Sequence, residues 1–283
     1  MEQGTKERIV NVISIAGVDP SGGAGVLADV KAMSACGAYA CGVVTALTAQ
    51  NTTGVKGIFP IPPSFVKEQL EVLFEDVAID AVKIGMLDNA ALIDVVAETL
   101  EHYRPKVVVL DPVMVAKSGD RLLAEEAVSA LRTRLLPLAT MMTPNLPEAL
   151  ALLGESPRSV SEDEFPAMAA DLWKLMKKRD AWVYLKGGHL GGSDSPDMLF
   201  NGYVTVRLEA ERIETKNDHG TGCTLSSALA ALLPRYDVIE ASRMAKAYLT
   251  NALKYSDALE VGHGHGPTHH FWGMTPAISR PTE

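Results

Sequence analysis

The stretch Lys106-Val107-Val108-Val109-Leu110-Asp111-Pro112-Val113-Met114 decides the fold. Val107 to Leu110 is apolar at every position and rich in β-branched residues, the pattern of a strand buried on both faces of a sheet. Asp111 closes the run at a point where a carboxylate is costly unless charge or hydrogen bonds compensate it. A buried strand ending in a charged group predicts a parallel sheet with polar chemistry at its carboxyl edge.

Working outward, similar short runs recur at Ile9 to Gly17, Gly42 to Gln50, Ala81 to Met86, Met141 to Asn145 and Trp182 to Gly187, and all of these read as strands. Between them, Gly25 to Ala35, Ser64 to Phe74, Ala90 to His102, Ala124 to Leu135 and Phe165 to Lys178 carry apolar residues at helical spacing. The alternation predicts βαβ units in an α/β fold, with helices covering both faces of the sheet. Two further helices, Thr221 to Leu233 and Val238 to Tyr255, close the chain, and Tyr203 to Ile213 alternates like an antiparallel edge strand. One domain is expected over 9–275, after an N-terminal extension 1–8 expected to be disordered and before a tail 276–283 expected to fray.

Composition narrows the function. The 283 residues are 47% hydrophobic with a formal net charge of −9, and no lysine or arginine cluster offers a nucleic-acid footprint. No uninterrupted apolar run reaches the ~18 residues of a bilayer span, and the first residues lack the basic and apolar regions of a signal peptide. Cys36, Cys41 and Cys223 cannot all pair and show no CxxC spacing, so a reducing, cytoplasmic setting is expected.

The unusual polar residues fall after the strands: Gly17 to Gly25, Gln50-Asn51, Gly85-Met86, Asp111, Asn145 to Glu148, and Lys186 to His189. All are expected at one edge of the sheet. The same edge should receive Asp218-His219-Gly220-Thr221-Gly222-Cys223-Thr224, whose glycines let backbone N–H groups turn toward an anion where a helix begins. Phosphoryl transfer near Cys223 is one reading of this corner, and a glycine turn opening a core helix is the other. The glycine loop after the first strand matches neither the Walker A nor the dinucleotide spacing. Asp29, one turn into the next helix, either stays solvated or reaches back to a ligand hydroxyl. Asp111, Asn145 and Glu148 offer the hard oxygen ligands that Mg²⁺ takes, or else cap neighbouring helices; Lys186 offers a point charge to phosphate, or else forms an ordinary salt bridge at the strand end. A helix N-terminus lowers a thiol's pKa, so Cys223 is expected to be partly ionised near neutrality and able to accept a hydroxyl proton. Cys36 and Cys41 are expected to pack. His263, His265, His269 and His270 crowd into Gly262 to His270, read as an ordered loop rather than a metal site.

With these residues placed, the chain from Ile9 to about Trp272 resembles the bacterial hydroxymethylpyrimidine and phosphomethylpyrimidine kinases of thiamin biosynthesis, in the ribokinase-like superfamily. The matching stretches include Ile15 to Gly25, Thr45 to Asn51, Lys83 to Leu87, Asp111 to Met114, Thr143 to Glu148, Lys186 to His189, His219 to Thr224 and Gly262 to Pro267. The resemblance implies a three-layer sandwich around a mostly parallel sheet. It also implies an ATP- and Mg²⁺-dependent kinase that adds phosphate to 4-amino-5-hydroxymethyl-2-methylpyrimidine and then to the monophosphate. It implies a homodimer as well. By resemblance, Asp29 and Gln50 hydrogen-bond the aminopyrimidine, with Ala24 and Met86 lining its pocket. Gly220, Thr221 and Gly222 form the anion hole, Lys186 and Lys246 lie by the phosphates, Asp111 and Glu148 organise Mg²⁺, and Cys223 takes the position of the base. Thr48 stands where an apolar neighbour of the ring is expected, and most of the wider superfamily has aspartate where this chain has Cys223. The alternatives are a pyridoxine or pyridoxal kinase and a pyrimidine-binding sensor without catalysis.

Overall fold

The computed structural model describes residues 8–114, 125–188, 190, 191 and 193–274. The extension before Arg8, His189 and the tail expected over 276–283 lie outside the described residues. In chain order the elements are β1 (Asn11–Val18), α1 (Gly25–Ala35), β2 (Tyr39–Asn51), β3 (Gly54–Pro60), α2 (Pro63–Asp76), β4 (Ala81–Ile84), α3 (Ala90–Tyr103) and β5 (Val107–Leu110). They continue as α4 (Glu125–Ala130), β6 (Met141–Met142), α5 (Leu146–Leu153), α6 (Phe165–Met176), β7 (Trp182–Leu185), β8 (Asp197–Phe200), β9 (Thr205–Leu208), α7 (Thr221–Leu232) and α8 (Val238–Lys254).

The nine strands form one sheet in the order β3-β2-β1-β4-β5-β6-β7-β8-β9. From β2 to β7 every pairing is parallel, while β3 at one edge and β8-β9 at the other run antiparallel. Each central strand sends alternate residues to opposite faces. Ile13, Ile15, Val82, Ile84, Val108, Leu110, Val183 and Leu185 join one core with residues of α2 to α6. Val12, Ala81, Val109, Met141 and Tyr184 join the other with α1, α7 and α8. This is the three-layer arrangement that the resemblance implied.

The alternation also sorts the polar residues. Continuing the α1/α7 face along each strand leads from Val12 to Ser14, from Ala81 to Lys83, from Val109 to Asp111, from Met141 to Thr143 and from Tyr184 to Lys186. Each lies beneath α7 or α1 where that face turns from apolar to polar.

The structure departs from the expected elements at five places. β3 was not foreseen, because its Gly54, Gly57 and Pro60 read as turn residues; it pairs at an edge, where a proline costs no ladder bond. β8 and α5 were also missed, being only four and eight residues long. The edge segment Tyr203 to Ile213 is strand only at Thr205–Leu208. The helix expected over Ala124 to Leu135 is α4 followed by a π-helical turn, Leu131–Leu135, with Ala124 outside the described residues. Among the described residues no helix is long and apolar enough to cross a membrane.

Helix α3 shows how locally its start is set. Asn89 holds extended backbone angles, and its Oδ1 accepts the Leu92 N–H at 2.9 Å. Asn89→Ala leaves that donor without its side-chain partner and is expected to lower unfolding free energy by about 1 kcal/mol, read from urea melts.

Candidate active site

Helix α7 begins without a side-chain cap. Gly220 stands before it at φ 75°, and a Cβ there would lie 1.8 Å from the Gly23 carbonyl oxygen. Only glycine fits, because the turn before α7 packs backbone against backbone on the turn before α1. The first bond of the helix runs from the Thr224 N–H to the Gly220 carbonyl at 2.8 Å, so the amides of Thr221, Gly222 and Cys223 precede the ladder. Unpaired N–H groups and the positive end of the helix macrodipole meet at this corner.

Beside it lies a carboxylate–ammonium group. Lys186 Nζ donates to Asp111 Oδ1 at 3.0 Å and lies 3.8 Å from Glu148 Oε2. A Cβ on Gly222 would sit 3.3 Å from Lys186 Nζ and 3.5 Å from Asp111 Oδ2, which places the cluster against the first turn of α7. Thr143 and Ser226 also donate to Asp111, at 3.0 and 3.2 Å. Burial works against the Asp111 carboxylate, but Lys186, Lys83 and these hydrogen bonds hold it below the usual aspartate range. Glu148 goes the other way: burial and then the charge of Asp111 push it up to about 7 despite the pull of Lys186.

Two buried carboxylates sharing one close ammonium leave room for more positive charge. Among the described residues no three His, Cys, Asp or Glu side chains converge as a metal cage. The pair fits a hard divalent ion that keeps waters and phosphate oxygens, as Mg²⁺ does. Asn145 does not fit the ligand role expected of it. Its Oδ1 accepts the Glu148 N–H at 2.9 Å while Glu148 Oε2 accepts the Asn145 N–H at 2.8 Å, a capping box that starts α5.

Cys223 corrects a second expectation. Its sulfur accepts the Gly25 N–H, and although the residue as a whole is partly exposed, burial of the thiol pushes it up to about 11 rather than down toward neutrality. Lys83 opposes that shift, while Asp29 and Asp111 add to it. Cys36 and Cys41, expected as packing residues, are partly buried against the two cores, and burial raises both thiols.

Asp29 corrects a third. It is fully buried, with Oδ2 accepting from Lys83 Nζ at 2.8 Å and Ser14 Oγ at 2.5 Å, and Oδ1 from Ser227 Oγ at 2.8 Å. Both oxygens are engaged within the protein, so Asp29 is not the solvated helix carboxylate it could have been. Lys246, expected by the phosphates, donates its ammonium to Asp197 Oδ2 at 2.6 Å and the Ser195 carbonyl at 2.7 Å. Asp197 Oδ1 in turn accepts the Gly187 N–H at 2.8 Å, so Lys246 braces the backbone next to Lys186.

The remaining expected residues do come together. Met86 lies over Gly17, where a Cβ would meet its Cε at 2.6 Å, and its carbonyl accepts from Thr45 Oγ1 at 3.0 Å. Ala24 donates its N–H to Asp19 Oδ2 at 3.1 Å, beside Gly220. Gln50 accepts from Thr48 Oγ1 at 3.2 Å and faces His219. His219 Nε2 lies 2.7 Å from Asp19 Oδ2, and its ring stacks over Gly23. Asp19, His219 and Lys83 had no assigned role in the sequence reading. For Lys83 the signal was present, a lysine among apolar neighbours in the middle of a strand.

Glu148 supplies a test. A carboxyl raised above its ordinary value binds its proton more tightly in the folded chain. Its stabilising contribution is therefore fully present at low pH and is lost as pH rises through about 7. Glu148→Gln keeps a capping-box residue and removes the charge. It is expected to melt about 2–4 °C above the parent at pH 8, with the difference closing toward pH 5.

Sequence models of known families place the chain. The model described as phosphomethylpyrimidine kinase matches residues 19–269. The hydroxymethylpyrimidine/phosphomethylpyrimidine kinase of Escherichia coli K12 is 52% identical over 263 residues, covering 93% of this chain and 97% of that one. Among solved structures, Bacillus subtilis pyridoxal kinase with ADP superposes with a TM-score of 0.84 at 35% identity, covering 93% of this chain and 98% of that one. The phosphomethylpyrimidine kinase of Clostridium difficile 630 superposes with a TM-score of 0.75 at 38% identity, covering 86% of this chain and 99% of that one. On this match and the geometry at the start of α7, the chain belongs to the phosphomethylpyrimidine kinase family.

Proposed function

We propose that the protein is an ATP-dependent kinase that phosphorylates 4-amino-5-hydroxymethyl-2-methylpyrimidine and then the resulting monophosphate, supplying the diphosphate for thiamin diphosphate synthesis. The observation that carries this reading is the meeting of three things at one sheet edge: the unpaired amides of Thr221 to Cys223, the Lys186–Asp111 pair and the Cys223 sulfur.

In this reading the transferred phosphoryl group sits on the N–H groups that open α7, with Lys186 neutralising its equatorial charge. Phosphoryl transfer needs mainly positioning and charge stabilisation, and these groups are in place before any ligand arrives. Asp111 and Glu148 would hold Mg²⁺, which would supply charge neutralisation on the nucleotide phosphates. Ala24, Gln50 and Met86 line the ring pocket, and Lys246 acts through Asp197 on the backbone of Gly187. Cys223, as thiolate, takes the proton of the hydroxymethyl group.

The two transfers make different demands on Cys223. The first acceptor is an alcohol that must lose a proton. The second is a phosphate oxygen, which is already largely ionised at neutral pH because its second pKa is near 6. A base is therefore needed for the first transfer alone. Cys223→Ala is expected to slow the first transfer by about 10²–10⁴-fold and the second far less. Parent turnover of the alcohol should also rise with pH between 7 and 9 as thiolate accumulates. The assay supplies Mg-ATP with each acceptor and reads products by mass. Two successive additions to the aminopyrimidine support the reading; transfer to pyridoxal alone, the reaction named for the structural relatives, overturns it.

The exposed edge of the sheet supports a homodimer. Leu47 and Phe59 are cross-strand partners of β2 and β3, and both point into solvent at 46% and 67% exposure. A second copy of the chain would cover them, and Phe59→Asp is expected to convert dimer to monomer in light scattering. No disulfide joins the three cysteines, which suits the cytoplasm.

A further inference from the structure

Lys83 is fully buried in the middle of β4, a central strand, and its side chain plays no part in the transfer described above. A buried ammonium is retained only where it is paired, and its partner is Asp29, also fully buried, at 2.8 Å. Ser14 is the cross-strand partner of Lys83 in the register of β1 with β4, and it reaches the same Asp29 oxygen. The chain therefore places a complete, desolvated ion pair under the active corner.

Its position relative to Cys223 follows from helix geometry. Residues four apart lie on one face of a helix, one turn apart. Gly25 and Asp29 are such a pair on α1, and Cys223 and Ser227 are such a pair on α7. The upper members meet, with the Gly25 N–H directed at the Cys223 sulfur. The lower members meet as well, Ser227 Oγ donating to Asp29 Oδ1 at 2.8 Å. The ion pair thus forms the rung next to the one occupied by the sulfur. The lack of a side chain at Gly85 opens this space, since a Cβ there would lie 2.8 Å from Lys83 Nζ.

Resting on the reading of Cys223 as proton acceptor, we infer that Lys83 is a positioning residue for that sulfur: its buried ammonium is the counter-ion of the Cys223 thiolate, and Asp29 holds it there and moderates its field. In forming the thiolate the S–H bond breaks, and its proton leaves to solvent. The thiolate then takes the proton of the acceptor alcohol as the oxygen–phosphorus bond forms and the bond to the nucleotide breaks.

Other charges face the same sulfur. Lys186 at the end of β7 adds positive charge, and Asp111 at the end of β5 adds negative charge. Those two pair with each other at 3.0 Å. Lys83 is the largest favourable influence on the thiolate, and Asp29 follows it as the largest opposing charge.

The two partners of one ion pair therefore have opposite effects on the sulfur, which a purely structural role does not produce. The test is alkylation of Cys223 by iodoacetamide across pH in the full-length, metal-free protein, with the modified peptide quantified by mass. Lys83→Met is expected to move the reactivity midpoint to higher pH, with alkylation at a given lower pH slowed by about tenfold or more. Asp29→Asn is expected to move it to lower pH. Shifts in the same direction, or no shift in either variant, overturn the proposal. Breaking one side of a buried pair can unfold a protein, so the charge-balanced double variant Lys83→Met/Asp29→Asn accompanies the singles. There the midpoint should lie above that of the parent, because the larger of the two influences is the one that stabilises the thiolate; a midpoint equal or lower sinks the idea. The readout needs no turnover, so it is separate from the base assignment, which fails if Cys223→Ala phosphorylates the alcohol like the parent.

Discussion

Helix α7 must start where the sheet stops being apolar, and the whole catalytic edge depends on that coincidence. Its first turn brings unpaired amides, which attract anions, against a face of the sheet that carries Lys83, Asp111, Thr143 and Lys186 at strand ends or strand centres. The amides alone would be a weak anion site open to solvent. Held against Lys186 in a water-poor setting, they become a strong one, because charge interactions are less screened there. The hydroxyls of Ser226 and Ser227 make the contact possible, satisfying Asp111 and Asp29 from within a helix otherwise packed as core.

The charges under α7 are arranged in two pairs, Lys83 with Asp29 and Lys186 with Asp111, and Glu148 stands as the extra carboxylate. Such pairs contribute little net stability, since each ion gives up its hydration. Their value lies in the field they leave at the corner. Burial pushes Glu148 toward its neutral form and favours the protonated Cys223 thiol.

The C-terminal segment ties the β2–β3 turn to the loop before α7. The Gly264 and His265 N–H groups donate to Thr52 in the β2–β3 turn, and Gly266 pairs with Lys216 and His219 just before α7. Farther on, His270 lies against Thr224 in the first turn of α7, kept neutral by burial with its pKa lowered to about 4. The histidine-rich loop is thus a strap across the site. It holds the turn after Gln50 and the anion loop in one rigid relation.

Much of this was legible in the chain itself. Apolar runs as short as Val107 to Leu110 mark the central strands because burial on two faces leaves no polar position, and helical spacing placed α1, α2, α3, α6, α7 and α8 to within a few residues. Lys186, Asp111, Glu148 and the glycine corner were legible for the same reason: charge and glycine at the ends of buried strands have few uses other than a site. The partners of Asp29, Lys246 and Asn145 were not legible, since a carboxylate, an ammonium or an amide carries no mark in the sequence of whether it meets a ligand or a neighbour from a distant segment. Nor was the protonation of Cys223. The helix terminus that lowers a thiol is a local feature that the sequence displays. The burial that raises it is set by how α1, β4 and β5 close around the sulfur, and only the packed fold decides which of the two prevails.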